Sequence, residues 1–155
     1  MKYHIKEENG FHAIGFELKT KSKRAEVEIG QLWHKFIAEN WEDKIPNITN
    51  IEPIAIYYEY EGQGMCCSMG PDSYAVLIGC QVDNLETIPV GMTGISVPKQ
   101  KYAVFTTTGE FPKSLIQTWK EINALNLARN FLYDFENYKH FREPSQEVDI
   151  YVGIQ

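Results

Sequence analysis

Near the C-terminus, the stretch FLYDFENY (residues 131–138) sets Asp134 and Glu136 among four aromatic rings. Apolar and aromatic residues in so short a run suit a strand beside a core. A carboxylate in that setting loses its water, and an uncompensated buried charge is expensive. Two chemistries would give Glu136 a purpose. Aromatic faces attract cations when desolvated, and a carboxylate beside them adds direct charge attraction, which together suit a lipophilic organic cation. Alternatively, burial raises a carboxylate's pKa, and a glutamate held near neutrality can act as a general acid or base. Side chains alternate along a strand, so Asp134, Glu136 and Tyr138 share one face. Either chemistry requires that face to be the buried one.

Other residues could complete such a site. Trp119 sits at a helical core position and can line a cleft with one side of its ring. Trp33 occupies a similar position on an earlier helix. Tyr58 and Tyr74 offer an apolar body with a polar tip, and Tyr102 and Tyr151 are further ligand-binding candidates. Glu59, in IAIYYEYEG (54–62), is the counterpart of Glu136 in an internal echo described below. The histidines His4, His12, His34 and His140 are scattered, and no nucleophile–base order is visible, so no catalytic residue is assigned. EGQGMCCSMG lacks the lysine and the helix of a phosphate-binding loop. The three cysteines, Cys66, Cys67 and Cys80, are an odd count and suggest free thiols in a reducing compartment. Adjacent Cys66 and Cys67 are poor zinc ligands without a second pair. Neither metal nor cofactor is expected.

Bulk properties narrow the partners. The net charge of −6 argues against direct nucleic-acid binding, which wants clustered Lys and Arg. The one basic cluster, KTKSKR at 19–24, reads as a solvated loop before a helix. No run of 18 or more apolar residues exists to cross a membrane. The start of the chain, MKYHIKEENG, lacks the apolar region of a signal peptide, so the expected compartment is the cytoplasm. The 155 residues, 43% of them apolar, suit one domain with its own core.

The elements that must position these residues come in two similar sets. The first half offers FHAIGFEL (11–18), a helix over 28–41, IAIYYEYEG (54–62) and SYAVLIGCQV (73–82). The second offers KYAVFTTTGE (101–110), a helix over 113–125, FLYDFENY and EVDIYVGIQ (147–155). Each half reads strand, helix, strand, strand, and a short strand-like segment precedes each, at 2–8 and 94–98. Ile29, Leu32, Trp33, Phe36 and Ile37 recur at helical spacing, as do Leu115, Ile116, Trp119 and Ile122. Pro112 suits the start of the second helix, while Pro46 and Asn47 help to end the first. The expected fold is α+β. Duplicated β-α-β-β modules, about 1–82 and 94–155, form an antiparallel sheet with two main helices and a central cleft between the halves.

The succession IGQLWHKF (29–36), IAIYYEYEG, YAVLIGCQV, VPKQKYAVFTTTGE (97–110), LIQTWKEI (115–122), DFENY (134–138) and VDIYVGI (148–154) resembles the effector-binding domain family. That family includes the gyrase-inhibitor-like proteins and the ligand domains of some AraC- and MerR-type regulators. The chain looks most like its stand-alone, integron-associated type. The resemblance implies two pseudo-symmetric modules around a pocket for hydrophobic, often cationic, small molecules, as in multidrug binding. It implies that Glu136, within Phe135-Glu136-x-Tyr138, is the pocket glutamate and that Trp119 is the tryptophan of the second helix. It also implies two alternatives: hydrolysis of a strained toxin in the same pocket, and a protein-interaction role such as gyrase protection. The chain leaves no room for the regulators' helix-turn-helix.

Overall fold

The computed structural model describes residues 2–62, 71–107, 109–143 and 146–155. The elements follow the expected order. β1 (His4–Glu8) and β2 (Phe11–Lys21) precede α1 (Ala25–Ala38), the short α2 (Trp41–Lys44), β3 (Ile48–Glu61) and β4 (Ser73–Val82). Then come β5 (Thr93–Val97), β6 (Gln100–Thr106), α3 (Lys113–Ala124), β7 (Tyr133–Lys139) and β8 (Glu147–Ile154).

The first helix starts and stops earlier than its apolar spacing suggests. Ala25 is buried in its first turn, where Glu26 and Glu28 also complement the positive end of the helix dipole. Asn40 adopts a left-handed conformation with φ of 53° and breaks the helix before Trp41. The break turns the Trp41 ring back into the core, stacked on Phe36 at 4.5 Å. Of the expected apolar face, Phe36 is fully buried, Ile29, Leu32 and Trp33 are partly buried, and Ile37 is exposed. α3 matches its expectation closely, with Pro112 at its N-cap. β7 begins two residues late, because Phe131 takes a positive φ of 54° and leaves the strand path.

All eight strands form one antiparallel sheet in the order β1-β6-β8-β7-β3-β4-β2-β5. The two modules meet at the β7–β3 pair, so the sequence duplication appears as a mirrored strand order. Their leading strands are exchanged: β1 pairs with β6 of the second module, and β5 with β2 of the first. Only Asn9 and Gly10 separate β1 from β2, a link that spans at most about 11 Å. In a flat sheet the six intervening strand spacings would hold β1 and β2 about 29 Å apart. The sheet must therefore curl until its ends meet. Phe11 of β2 and Phe135 of β7 confirm the curl, with ring centroids 5.3 Å apart across two intervening strands.

Curling gives the sheet two cores. Inside the curl lie Ile54, Ile56, Tyr58, Leu77, Tyr102 and Phe135. On the outer, helix-bearing side lie Phe36, Trp41, Val76, Ile78, Phe105, Ile122, Tyr138 and Ile150. Gly15 and Gly79 face each other on β2 and β4. A Cβ on Gly79 would lie 2.0 Å from the Ile14 carbonyl oxygen and 2.7 Å from the Gly15 Cα. The obstacle is backbone, which cannot rotate aside. Gly79→Ala is therefore expected to cost about 3 kcal/mol, the upper end for overpacking, and to lower Tm by about 6–12 °C in a thermal melt.

Candidate functional site

α1 and α3 lie on the same side of the sheet and leave between them a cleft of about 1000 Å³ above the module seam. β3, β4 and β7 supply its floor, and its aromatic lining includes Trp33, Tyr57, Tyr60, Tyr74, Trp119 and Tyr138. Ile29, Leu115 and Ile116 add apolar wall from the two helices.

Glu136 lies in this floor and is only 1% exposed. The seam register sets it opposite Ala55, whose methyl group leaves room above the sheet for a longer neighbour. Three neutral donors hold its carboxylate. The Tyr138 hydroxyl (2.7 Å) and the Tyr57 hydroxyl (2.9 Å) donate to Oε1, and the Trp119 indole N–H donates to Oε2 at 2.7 Å. Burial raises the Glu136 pKa above the usual carboxylate range, and the bonds from Tyr138, Trp119 and Tyr57 partly oppose that rise. Burial, reinforced by the Glu136 charge, pushes the phenols of Tyr57 and Tyr138 far up, so both remain donors. The same two causes push Tyr74 up to about 12. No cationic side chain pairs with Glu136 among the described residues.

Asp134 shares that strand face and has a different role. It is completely buried and bonded to Arg129 Nη2 (2.7 Å), the Gly153 N–H (2.7 Å) and the Tyr60 hydroxyl (2.5 Å). Its charge is thus neutralised within the fold. The Arg129 guanidinium lies over the Phe131 ring at 4.4 Å and beside Trp119 at 6.0 Å. Of the two carboxylates in FLYDFENY, only Glu136 keeps an unbalanced charge.

The structure brings four of the sequence candidates, Glu136, Trp119, Trp33 and Tyr74, to the cleft. It removes Tyr58, Tyr102 and Tyr151, which belong to the inside of the curl. Tyr58 stacks with Tyr133 at 6.0 Å and bonds to Glu17. Tyr102 meets Phe135 edge-on at 5.1 Å, and Tyr151 stacks on Phe135 at 4.4 Å. The cause is strand alternation: Tyr57 and Tyr58 are neighbours, and the pleat sends them to opposite faces. Because both faces of β3 are apolar, sequence pattern alone had no basis for choosing Tyr57. Tyr60, which alternation would place beside Tyr58, reaches the cleft because the chain bulges at Glu59. Tyr138 carries a signal in the sequence, since alternation sets it on the face of Glu136. Glu59 does not face Glu136. A bulge and a positive φ of 53° turn it outward, where it pairs with Lys19 at 3.2 Å.

Cys66 and Cys67 lie outside the described residues. Cys80 is buried, which pushes its thiol up to about 12 and makes it inert at neutral pH. Among the described residues no group of His, Cys, Asp or Glu side chains is arranged to hold a metal ion. No helix among them is long and apolar enough to cross a membrane.

Comparisons with known proteins identify relatives and a shared fold. The family described as Cass2, integron-associated effector binding protein, matches residues 4–154. The transcriptional regulator BrlR of Pseudomonas aeruginosa is 32% identical over 136 residues, which cover 81% of this chain and 46% of that protein. The chain therefore spans about half the length of that curated relative. Among solved structures, the integron cassette protein VCH_CASS2 of Vibrio cholerae superposes with a TM-score of 0.77 at 24% identity, covering 99% of this chain and 95% of that one. SAV2435, solved bound to tetraphenylphosphonium, also gives 0.77, at 16% identity and covering 100% of this chain and 94% of that one. At these identities the two structures establish a shared fold.

Proposed function

The chain belongs to the family of integron-associated effector-binding proteins, and from that premise we propose that its cleft captures a lipophilic organic cation with Glu136 as counter-charge. One observation carries the reading: a fully buried carboxylate, held only by neutral donors, in the floor of an apolar, ring-lined cleft. Three of its roughly four lone-pair positions are occupied. A quaternary cation needs no hydrogen bond, however. It gains from the charge and from the surrounding ring faces, and both effects strengthen where water is excluded. Tetraphenylphosphonium, the ligand seen in SAV2435, has this chemistry.

The test is titration calorimetry with tetraphenylphosphonium and with uncharged triphenylphosphine oxide. Saturable binding of the cation and none of the neutral compound is expected. Equal binding of both, or none of either, overturns the reading.

The raised pKa adds a pH signature with opposite signs for binding and stability. A permanent cation favours ionised Glu136, so its affinity should fall as pH drops through the Glu136 titration. Near that pH, binding should release a proton, which calorimetry in buffers of different ionisation enthalpy detects. For the empty protein, the folded pKa lies above the unfolded one. The Glu136 contribution to stability is therefore fully present at low pH and lost as pH rises through the folded value. The thermal shift induced by the cation should consequently shrink in acid even though this group then favours the empty fold. A shift independent of pH would remove Glu136 from the site.

A further inference from the structure

Beyond Trp119, the cleft is lined by side chains that offer hydrogen-bond donors. Lys120 and Asn123 line it from α3, and Arg129 lines it from the segment that follows. Trp119 and Asn123, four residues apart, stand about 6 Å from each other along the helix on one face. This end is therefore roughly one helical turn from the Glu136 carboxylate that Trp119 bonds. Arg129 Nη1 donates to Asn123 Oδ1 at 3.0 Å, which fixes the amide orientation and leaves the Asn123 nitrogen as a donor. The Arg129 side chain is 9% exposed, and its Nε has no hydrogen-bond partner among the described residues. That nitrogen is closed to solvent, so Arg129 acts on the cleft through its positive charge and through the hold its Nη1 has on Asn123. Lys120 is exposed and forms no ion pair among the described residues. The nearby acceptor, Asp134, is already engaged by Arg129, Tyr60 and Gly153.

We propose that the cleft is bipolar and selects lipophilic cations that also carry an anionic acceptor, such as a carboxylate, about one aromatic ring from the cationic centre. The cation lies against Glu136 and the aromatic walls. The acceptor reaches Lys120 Nζ and the Asn123 amide, and draws toward Arg129. This assignment rests on the cation reading above and names its ligand class more narrowly.

The experiment compares tetraphenylphosphonium with its para-carboxyphenyl derivative, (4-carboxyphenyl)triphenylphosphonium, by calorimetry at neutral pH. The two share one scaffold and differ by one carboxylate. Charge-assisted hydrogen bonds at the donor end should make the carboxylate bind about tenfold more tightly. In a variant carrying both Lys120→Met and Asn123→Ala, the affinity ratio of the two compounds should fall to one or below. Both positions are exposed on α3, where substitution is well tolerated. A ratio at or below one in the unaltered protein, with the parent cation still bound, overturns the bipolar assignment alone. A ratio that survives the double substitution does the same. Failure of both compounds to bind overturns the cation reading as well.

Discussion

Glu136→Gln is expected to weaken tetraphenylphosphonium binding about 200-fold while leaving the fold about as stable. The magnitude follows from a unit charge pair about 5 Å apart at an effective dielectric near 20, which is worth about 3 kcal/mol. The stability half of the expectation follows from the donor set. The glutamine oxygen can take the place of Oε2 and accept the Trp119 N–H, which can only donate. The glutamine nitrogen then replaces Oε1 and donates to Tyr57 and Tyr138, whose hydroxyls can accept. Three contacts are kept, two of them reversed in direction; the tyrosine protons lose their acceptor, and the burial penalty on a charge disappears in exchange. Calorimetry and a thermal melt on the same variant read the two halves separately. Unchanged affinity would end the counter-charge role. Lost affinity with a lowered Tm would show that the site had been damaged rather than discharged.

The second large effect concerns the neighbouring carboxylate. Arg129→Met strands Asp134, completely buried, with only the Tyr60 hydroxyl and the Gly153 N–H. Breaking a buried pair from one side costs about 3–5 kcal/mol. For a chain of this size that corresponds to a Tm lower by about 6–20 °C. Adding Asp134→Asn to Arg129→Met should restore most of the loss. The asparagine oxygen keeps the Gly153 bond, its nitrogen donates to Tyr60, and no charge remains unbalanced. A denaturant series on the single and double variants measures the coupling directly. If Arg129→Met alone proved as stable as the parent, Asp134 would have another partner, and the division of labour between the two carboxylates would fail.

That division was only half visible in the sequence. Alternation along FLYDFENY put Asp134, Glu136 and Tyr138 on one face, and the structure agrees. Which acid would be neutralised depended on Arg129, five residues earlier and outside any strand pattern. Its reach to Asp134 requires the turn at Phe131, a left-handed residue that no periodicity announces.

The sequence by itself determined the element order, the duplication, the two amphipathic helices and the presence of an acid among rings. These follow from local rules, because the period of apolar residues and the chemistry of breakers act within a few residues of chain. Tertiary structure alone decided the rest. Two-residue links at Asn9–Gly10 and Pro98–Lys99 tie strands that lie far apart in the sheet order, and so force the curl. The curl creates a second apolar interior, and with it both faces of each central strand become greasy. Periodicity then loses its power to say which side faces the cleft. The pleat and the bulge at Glu59 put Tyr58, Tyr102 and Tyr151 inside the curl and Tyr57, Tyr60 and Tyr138 in the cleft with Glu136.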